Sequence, residues 1–280
     1  MGKIITICNQ KGGTGKTTTV VNTCAYLAIA GKRVLVIDLD PQANATSGFG
    51  IDKYAIKKSV YHLILEEMAL DDVVLPTEIS NLKVAPANLD LTGAEVELVG
   101  MLGREHRLKK ALSNHKQRYD FIFIDSPPSL GLLTVNALCA ADTVLIPVQC
   151  EYYALEGLTQ LINTINLVRD NLNANLQIEG IVLTMADFRT NLTSQVIAEV
   201  QRYFQNVQIN FGQKPTVYKA IIPRNIRLTE APSFGKPIVL YDKNSTGGQK
   251  YQELTNEILG LTIDSVNNVP QGTNLAQKGE

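Results

Sequence analysis

The stretch NQKGGTGKTTT, Asn9–Thr19, decides how this chain is read. An apolar run, Lys3–Cys8, precedes it, and a helical pattern follows from about Lys16 to Ala30, with Gly31 as its C-terminal stop. Strand, glycine-rich loop and helix in this order make a phosphate site. The glycines let backbone N–H groups face an anion, and the helix N-terminus adds its dipole. The pattern G-x-x-x-x-G-K-[ST] asks for a glycine five residues before Gly15, but Gln10 stands there. A second lysine, Lys11, sits instead at the mouth of the loop. Lys16 is placed to reach the β- and γ-phosphates of a nucleotide, and the Thr17 hydroxyl to ligate Mg²⁺. Gly12, Gly13, Thr14, Gly15 and Thr18 complete the expected cradle.

Outward from the loop, apolar runs of strand length alternate with helical patterns. That alternation predicts an α/β fold, a mostly parallel twisted sheet with helices on both faces, as in P-loop NTPases. Strands are expected at Lys3–Cys8, Arg33–Asp38, Leu82–Ala87, Tyr119–Asp125, Asp142–Val148, Leu176–Met185 and Thr216–Pro223. Further helices are expected at Arg104–Lys116, Leu155–Leu172, Asn191–Phe204 and Gly248–Leu259. With no repeat and no linker in view, residues 1–263 read as one domain. Residues 264–280 read as a polar, disordered tail.

Bulk composition narrows the class. The chain has 280 residues, 45% hydrophobic and 19% charged, as soluble globular proteins do. No apolar stretch reaches the length of a membrane span, and Ile4–Cys8 is too short for a signal peptide. Cys8, Cys24, Cys139 and Cys150 lack C-x-x-C spacing and read as buried small hydrophobes of a cytoplasmic protein. Net charge is −1, which argues against nucleic acid, but the charge is unevenly spread. Lys214, Lys219, Arg224, Arg227, Lys236, Lys243 and Lys250 face only Glu230 and Asp242 in their segment. That basic third is either one local patch or a solvated surface.

Three aspartates follow strands: Asp38 and Asp40 in VIDLDPQ, and Asp125 in FIFIDSPPSLG. Ligands of open α/β sheets bind beyond the carboxyl ends of strands, where these carboxylates converge. An apolar run closed by aspartate is the arrangement that holds Mg²⁺, often through water. Any one of them alone could equally form a turn or cap a helix.

Five stretches, KGGTGKTTT, DLDPQANATSGFG, FIFIDSPPSLGLLTVNAL, PVQCEYYALEGL and IPRNIRLTEAPSFGKPI, together closely resemble the ParA/Soj family of DNA-segregation ATPases. That family belongs to the deviant Walker A class, with MinD and the nitrogenase iron protein. The resemblance spans about Met1 to Gly260. It implies ATP and Mg²⁺ as cofactors and a homodimer formed on ATP. Lys11 corresponds to the signature lysine that reaches the partner's nucleotide, and Lys16 to the ordinary phosphate lysine. Asp40 corresponds to the aspartate that positions or activates water, while Asp38 and Asp125 support magnesium directly or through water. Segments 38–48 and 125–131 resemble switches I and II. Arg189 in DFRTNL, with Arg224 and Arg227, matches arginines that contact DNA phosphates without reading sequence. The resemblance places the adenine pocket near Thr184–Asp187 and Pro223–Asn225. It implies slow hydrolysis stimulated by a ParB-type (Spo0J-type) centromere-binding protein, at the nucleoid of the cytoplasm.

Other readings of the class meet sequence objections. A MinD-like spatial regulator requires a C-terminal amphipathic membrane helix, which the tail after Asp264 does not offer. An iron–sulfur donor requires cysteines where Cys139 and Cys150 do not sit. A transcriptional repressor of the longer type carries a helix-turn-helix ahead of the loop, and here the loop begins at Lys11. A further role in regulating replication stays open.

Overall fold

A computed structural model of the chain describes residues 2–152, 154–206 and 215–261. The expected tail at 264–280 and Lys214 lie outside them. In chain order the elements begin with β1 (Lys3–Ile7), α1 (Lys16–Ile29), β2 (Val34–Asp38) and α2 (Asn44–Gly48). Then come α3 (Val60–Leu65), α4 (Leu70–Val73), β3 (Leu75–Pro76), β4 (Leu82–Ala85), α5 (Leu91–Leu98) and α6 (Arg107–Leu112). The central part has β5 (Phe121–Asp125), α7 (Leu132–Ala140), β6 (Thr143–Gln149), α8 (Ala154–Asn171), β7 (Gln177–Thr184) and α9 (Asn191–Asn206). Last are β8 (Thr216–Val217), α10 (Ile226–Glu230), α11 (Ile238–Tyr241) and α12 (Thr246–Ile258).

The eight strands form one sheet in the order β3-β4-β2-β5-β1-β6-β7-β8. All pairings are parallel except β3 with β4. Side chains alternate between two covered faces, as the pleat requires. Ile4, Leu35, Ile37, Ile122 and Ile124 pack into the layer of α3 and α5–α9, and Ile5, Ile7, Val34, Val36 and Phe123 into that of α1 and α10–α12. Register brings the working ends of three strands level: Asp125 pairs with Ile7 across β1 and with Asp38 across β2. The loop after β1 therefore opens where the connections diverge to the two halves of the sheet.

Two expected elements take a different form, and β3, α2–α5, α7, α10 and α11 were not among those expected. The strand expected over Thr216–Pro223 is β8, only Thr216–Val217, followed by a single parallel bridge between Ala186 and Pro223. At Lys219 and Ala220 the backbone N–H groups leave the ladder and donate to Glu257 on α12. The helix expected over Arg104–Lys116 divides into a 3-10 turn at Arg104–His106 and α6, which ends at Leu112. Gly103, at φ +65°, sets its start. Helix α7 had no sequence signal because most of its side chains are buried all round, which erases the apolar stripe.

Candidate nucleotide-binding site

The loop's shape comes from two glycines. Gly13 and Gly15 have φ of +74° and +87°, the left-handed region that other residues enter only with strain. Gly15 is the N-cap of α1 and supplies no side-chain acceptor, so the first-turn amides point outward without a partner of their own helix. The loop is fastened on both sides. Asn9 Nδ2 donates to the Pro147 carbonyl at 2.7 Å while its Oδ1 accepts from the Lys11 N–H at 3.0 Å. The Thr184 hydroxyl donates to the Thr14 carbonyl at 2.8 Å.

The two lysines have different surroundings. Lys16 is buried, and its Nζ donates to the Lys11 carbonyl at 3.2 Å. Burial lowers its pKa, and the charges of Asp125, Cys8 and Asp40 oppose that shift. Lys11 faces outward instead, with its Nζ 2.7 Å from Glu151 Oε2.

The three aspartates converge as expected, yet each is held differently. Asp38 is fully buried and engaged: its Oδ2 accepts from the Thr46 N–H at 2.8 Å and the Thr46 hydroxyl at 2.7 Å, and its Oδ1 from the Asp40 N–H at 3.2 Å. Asp40 Oδ1 accepts from the Gln42 N–H at 2.9 Å. Neither oxygen of the buried Asp125 has a well-formed hydrogen bond, although the Thr17 hydroxyl lies close enough to lower its pKa somewhat. Burial, with Asp38 and Asp40 nearby, pushes Asp125 well above the usual carboxylate range. Burial likewise lifts Asp38 to about 6, against the Thr46 and Asp40 hydrogen bonds.

A cavity of about 270 Å³ lies beside the first turn of α1, lined by Gly15, Thr18, Met185, Pro223, Asn225 and Tyr251 among others. Both segments expected around a base border it. Asn225 is already committed, its Oδ1 capping α10 at Leu228 and its amide donating to the Thr246 hydroxyl at 2.8 Å. A larger recess, about 730 Å³, lies around Arg33, Tyr119 and Asp120 and includes none of the loop residues.

Arg189 and Arg224 lie together around Asp187. Arg189 holds Asp187 through two side-chain hydrogen bonds of 2.8 and 2.7 Å, and the pairing depresses Asp187 to about 2. Arg224 adds to that field but has no ion pair of its own among the described residues. Arg227 is set apart, 2.9 Å from Glu230 and 3.5 Å from Asp242. All four cysteines are buried and free, and burial pushes the thiols of Cys8, Cys139 and Cys150 up to about 11. No helix among the described residues is long and apolar enough to cross a membrane.

A family model described as an AAA domain matches residues 2–178. The sporulation initiation inhibitor protein Soj of Bacillus subtilis is 57% identical over 258 residues, covering 92% of this chain and 98% of Soj. The chromosome partitioning protein ParA of Myxococcus xanthus is 53% identical over 259 residues, covering 92% of this chain and 88% of ParA. The chain belongs to the ParA/Soj family of chromosome-partitioning ATPases. Among solved structures, cobyrinic acid a,c-diamide synthase from Mycobacterium smegmatis, with bound ATP analogue and magnesium, is 34% identical at a TM-score of 0.80. That match covers 92% of this chain and 94% of the other.

In this ParA/Soj-family chain three residues lie in stretches the sequence singled out, but their contacts carried no sequence signal. Thr46 ties Asp38 to α2, Thr184 ties β7 to the loop, and Glu151 holds Lys11. Threonines are too common to single out. Glu151 was reachable in principle, since it stands two residues past β6, which pairs with β1.

Proposed function

We propose that the chain is an ATP-switched DNA-partitioning ATPase, complete only as a dimer. The observation that carries this reading is buried Asp125, its two oxygens without good partners beside Thr17 and Lys16 at the N-terminus of α1. A buried carboxylate is costly unless a cation answers it. Asp125 and Thr17 supply the hard oxygen donors that Mg²⁺ prefers, and a related solved structure carries an ATP analogue with magnesium. When bound, Mg²⁺ would neutralise charge on the β- and γ-phosphates. Asp38, whose oxygens already accept three hydrogen bonds, suits a supporting role through water and anchors switch I through Thr46.

Lys16 and the outward amides of the loop bind the phosphates, and the mostly apolar cavity beside Thr18 takes the adenine. Lys11 of each chain reaches the partner's nucleotide and stabilises charge developing on the γ-phosphoryl group. Asp40 orients the attacking water. Replacing Asp40 by Ala should lower hydrolysis by about 10²-fold or more while leaving a stable ATP dimer, read by phosphate release and sedimentation. A variant that stays monomeric with ATP would remove Asp40 from this role.

In the dimer, two copies of the Arg189, Arg224 and Arg227 surface act together, so DNA binding follows ATP. Arg189 and Arg227 must first exchange their acidic partners for phosphates, whereas Arg224 is ready. Hydrolysis, slow alone, is stimulated by a ParB-type partner. The test is binding of random-sequence duplex DNA with ATP, a non-hydrolysable analogue or ADP at two salt concentrations. Six arginine contacts per dimer predict ATP-dependent binding that falls about 10³-fold between 50 and 200 mM salt. Arg224→Glu should abolish it while sedimentation still shows the ATP dimer. Loss of ATP affinity in that variant would instead put Arg224 in the nucleotide site.

A further inference from the structure

Glu151 pairs with Lys11 within the same chain. Lys11 Nζ sits 2.7 Å from Glu151 Oε2, and Gln149 Nε2 donates to the other oxygen, so the carboxylate is held from both sides. The contact joins the loop after β1 to the chain just past β6, the neighbouring strand. Asn9, bonded to Pro147 and to the Lys11 N–H, fixes the Lys11 backbone at that same edge. Both partners are half-exposed, at 45% and 43%, so water reaches the pair and the pair is weak enough to exchange. A triphosphate offers Lys11 more charge than one carboxylate.

We infer that Glu151 is a latch that holds Lys11 within its own chain and sets the threshold for dimerisation. This rests on the reading of Lys11 as the lysine given to the partner's nucleotide. Each dimer must release two such pairs. The release penalty falls equally on the ATP and ADP forms, so the latch does not create the preference for ATP. It raises the dissociation constant of both dimers, keeping the weaker one below the concentration at which it forms.

The experiment measures dimer dissociation constants by sedimentation of the full chain with a non-hydrolysable ATP analogue. Glu151→Gln, which keeps the side chain's size, should lower that constant about 2- to 30-fold, with Glu151→Ala shifting it the same way. Glu156→Gln, which removes an equal charge nearby, should leave it in place. A constant unchanged or raised in both Glu151 variants overturns the latch. So does an equal fall in Glu156→Gln, since general repulsion would then be at work. Lys11→Ala separates the underlying reading: if it dimerises like the wild type, Lys11 has no role across the interface, whatever the Glu151 variants do.

Discussion

Asp125→Asn should raise the melting temperature of the nucleotide-free protein while abolishing its response to Mg²⁺ and ATP. In the free protein the Asp125 charge is buried without good partners, next to Asp38 on the paired strand and close to Asp40. Burial is the main reason its pKa is raised, and the neighbouring carboxylates add to it. The sign of the pH dependence follows. A carboxyl whose folded pKa exceeds its unfolded value holds its proton longer when folded. Stability is then greatest below the unfolded value and falls as pH rises through the folded one. For Asp38, the shift from 3.8 to about 6 corresponds to a loss on the order of 3 kcal/mol by neutral pH. Asp125→Asn removes one charge of the pair and eases the ionisation of Asp38. The melting-temperature gap between variant and wild type should therefore widen from pH 4 to pH 7.5, reaching roughly 5 °C or more. A variant less stable than the wild type at pH 7.5 without nucleotide would refute this account. On the proposed reading the same substitution removes a magnesium ligand, so phosphate release should fall to background.

The second large effect separates the two lysines. Lys16→Ala should lose ATP binding outright, because the buried ammonium beside Asp125, proposed to hold the phosphates, is gone. At ATP one hundred times the wild-type Kd, the wild type gains about 2.7 kcal/mol of stability and this variant none. Lys11→Ala should keep most of that stabilisation, since Lys11 points away toward Glu151, but lose ATP-dependent dimerisation and stimulated hydrolysis. Thermal shift and sedimentation on both variants decide the matter. Identical behaviour would reduce Lys11 to an incidental surface charge.

The sequence made the fold and the phosphate loop legible because both depend on local rules. Apolar runs of strand length, Gly13 and Gly15 at left-handed turns, and Gly31 at the end of α1, with φ +81°, follow from backbone sterics alone. Aspartates closing β2 and β5 were placed by the same logic, and register then set them side by side. What stayed hidden was how each charge is compensated. No spacing rule distinguishes Asp38, satisfied by Thr46, from Asp125, left without good partners. Nor does one show that Asp242 joins Glu230 on Arg227 while Arg224 has no ion pair among the described residues. The Arg227–Glu230 part is an i,i+3 spacing on α10 that was readable in principle; the Asp242 contact and the bonding of Asp38 depend on how the loops pack. β3 was invisible for a different reason: two residues, one a proline, carry no pattern.

The fastening of the phosphate loop bears on timing. With Asn9 tied to β6 and Thr14 to β7, the cradle is held from two strands. The adjacent segment is hung otherwise: its helix α2 is tethered to Asp38 through Thr46. Helix α2 is also packed against α1, with Ala45 and Phe49 buried, so its seat depends on packing as well as on that tether. On the proposed reading, how long α2 stays seated, and with it the ATP dimer on DNA, would become a dwell time that the tether between Thr46 and Asp38 lengthens or shortens.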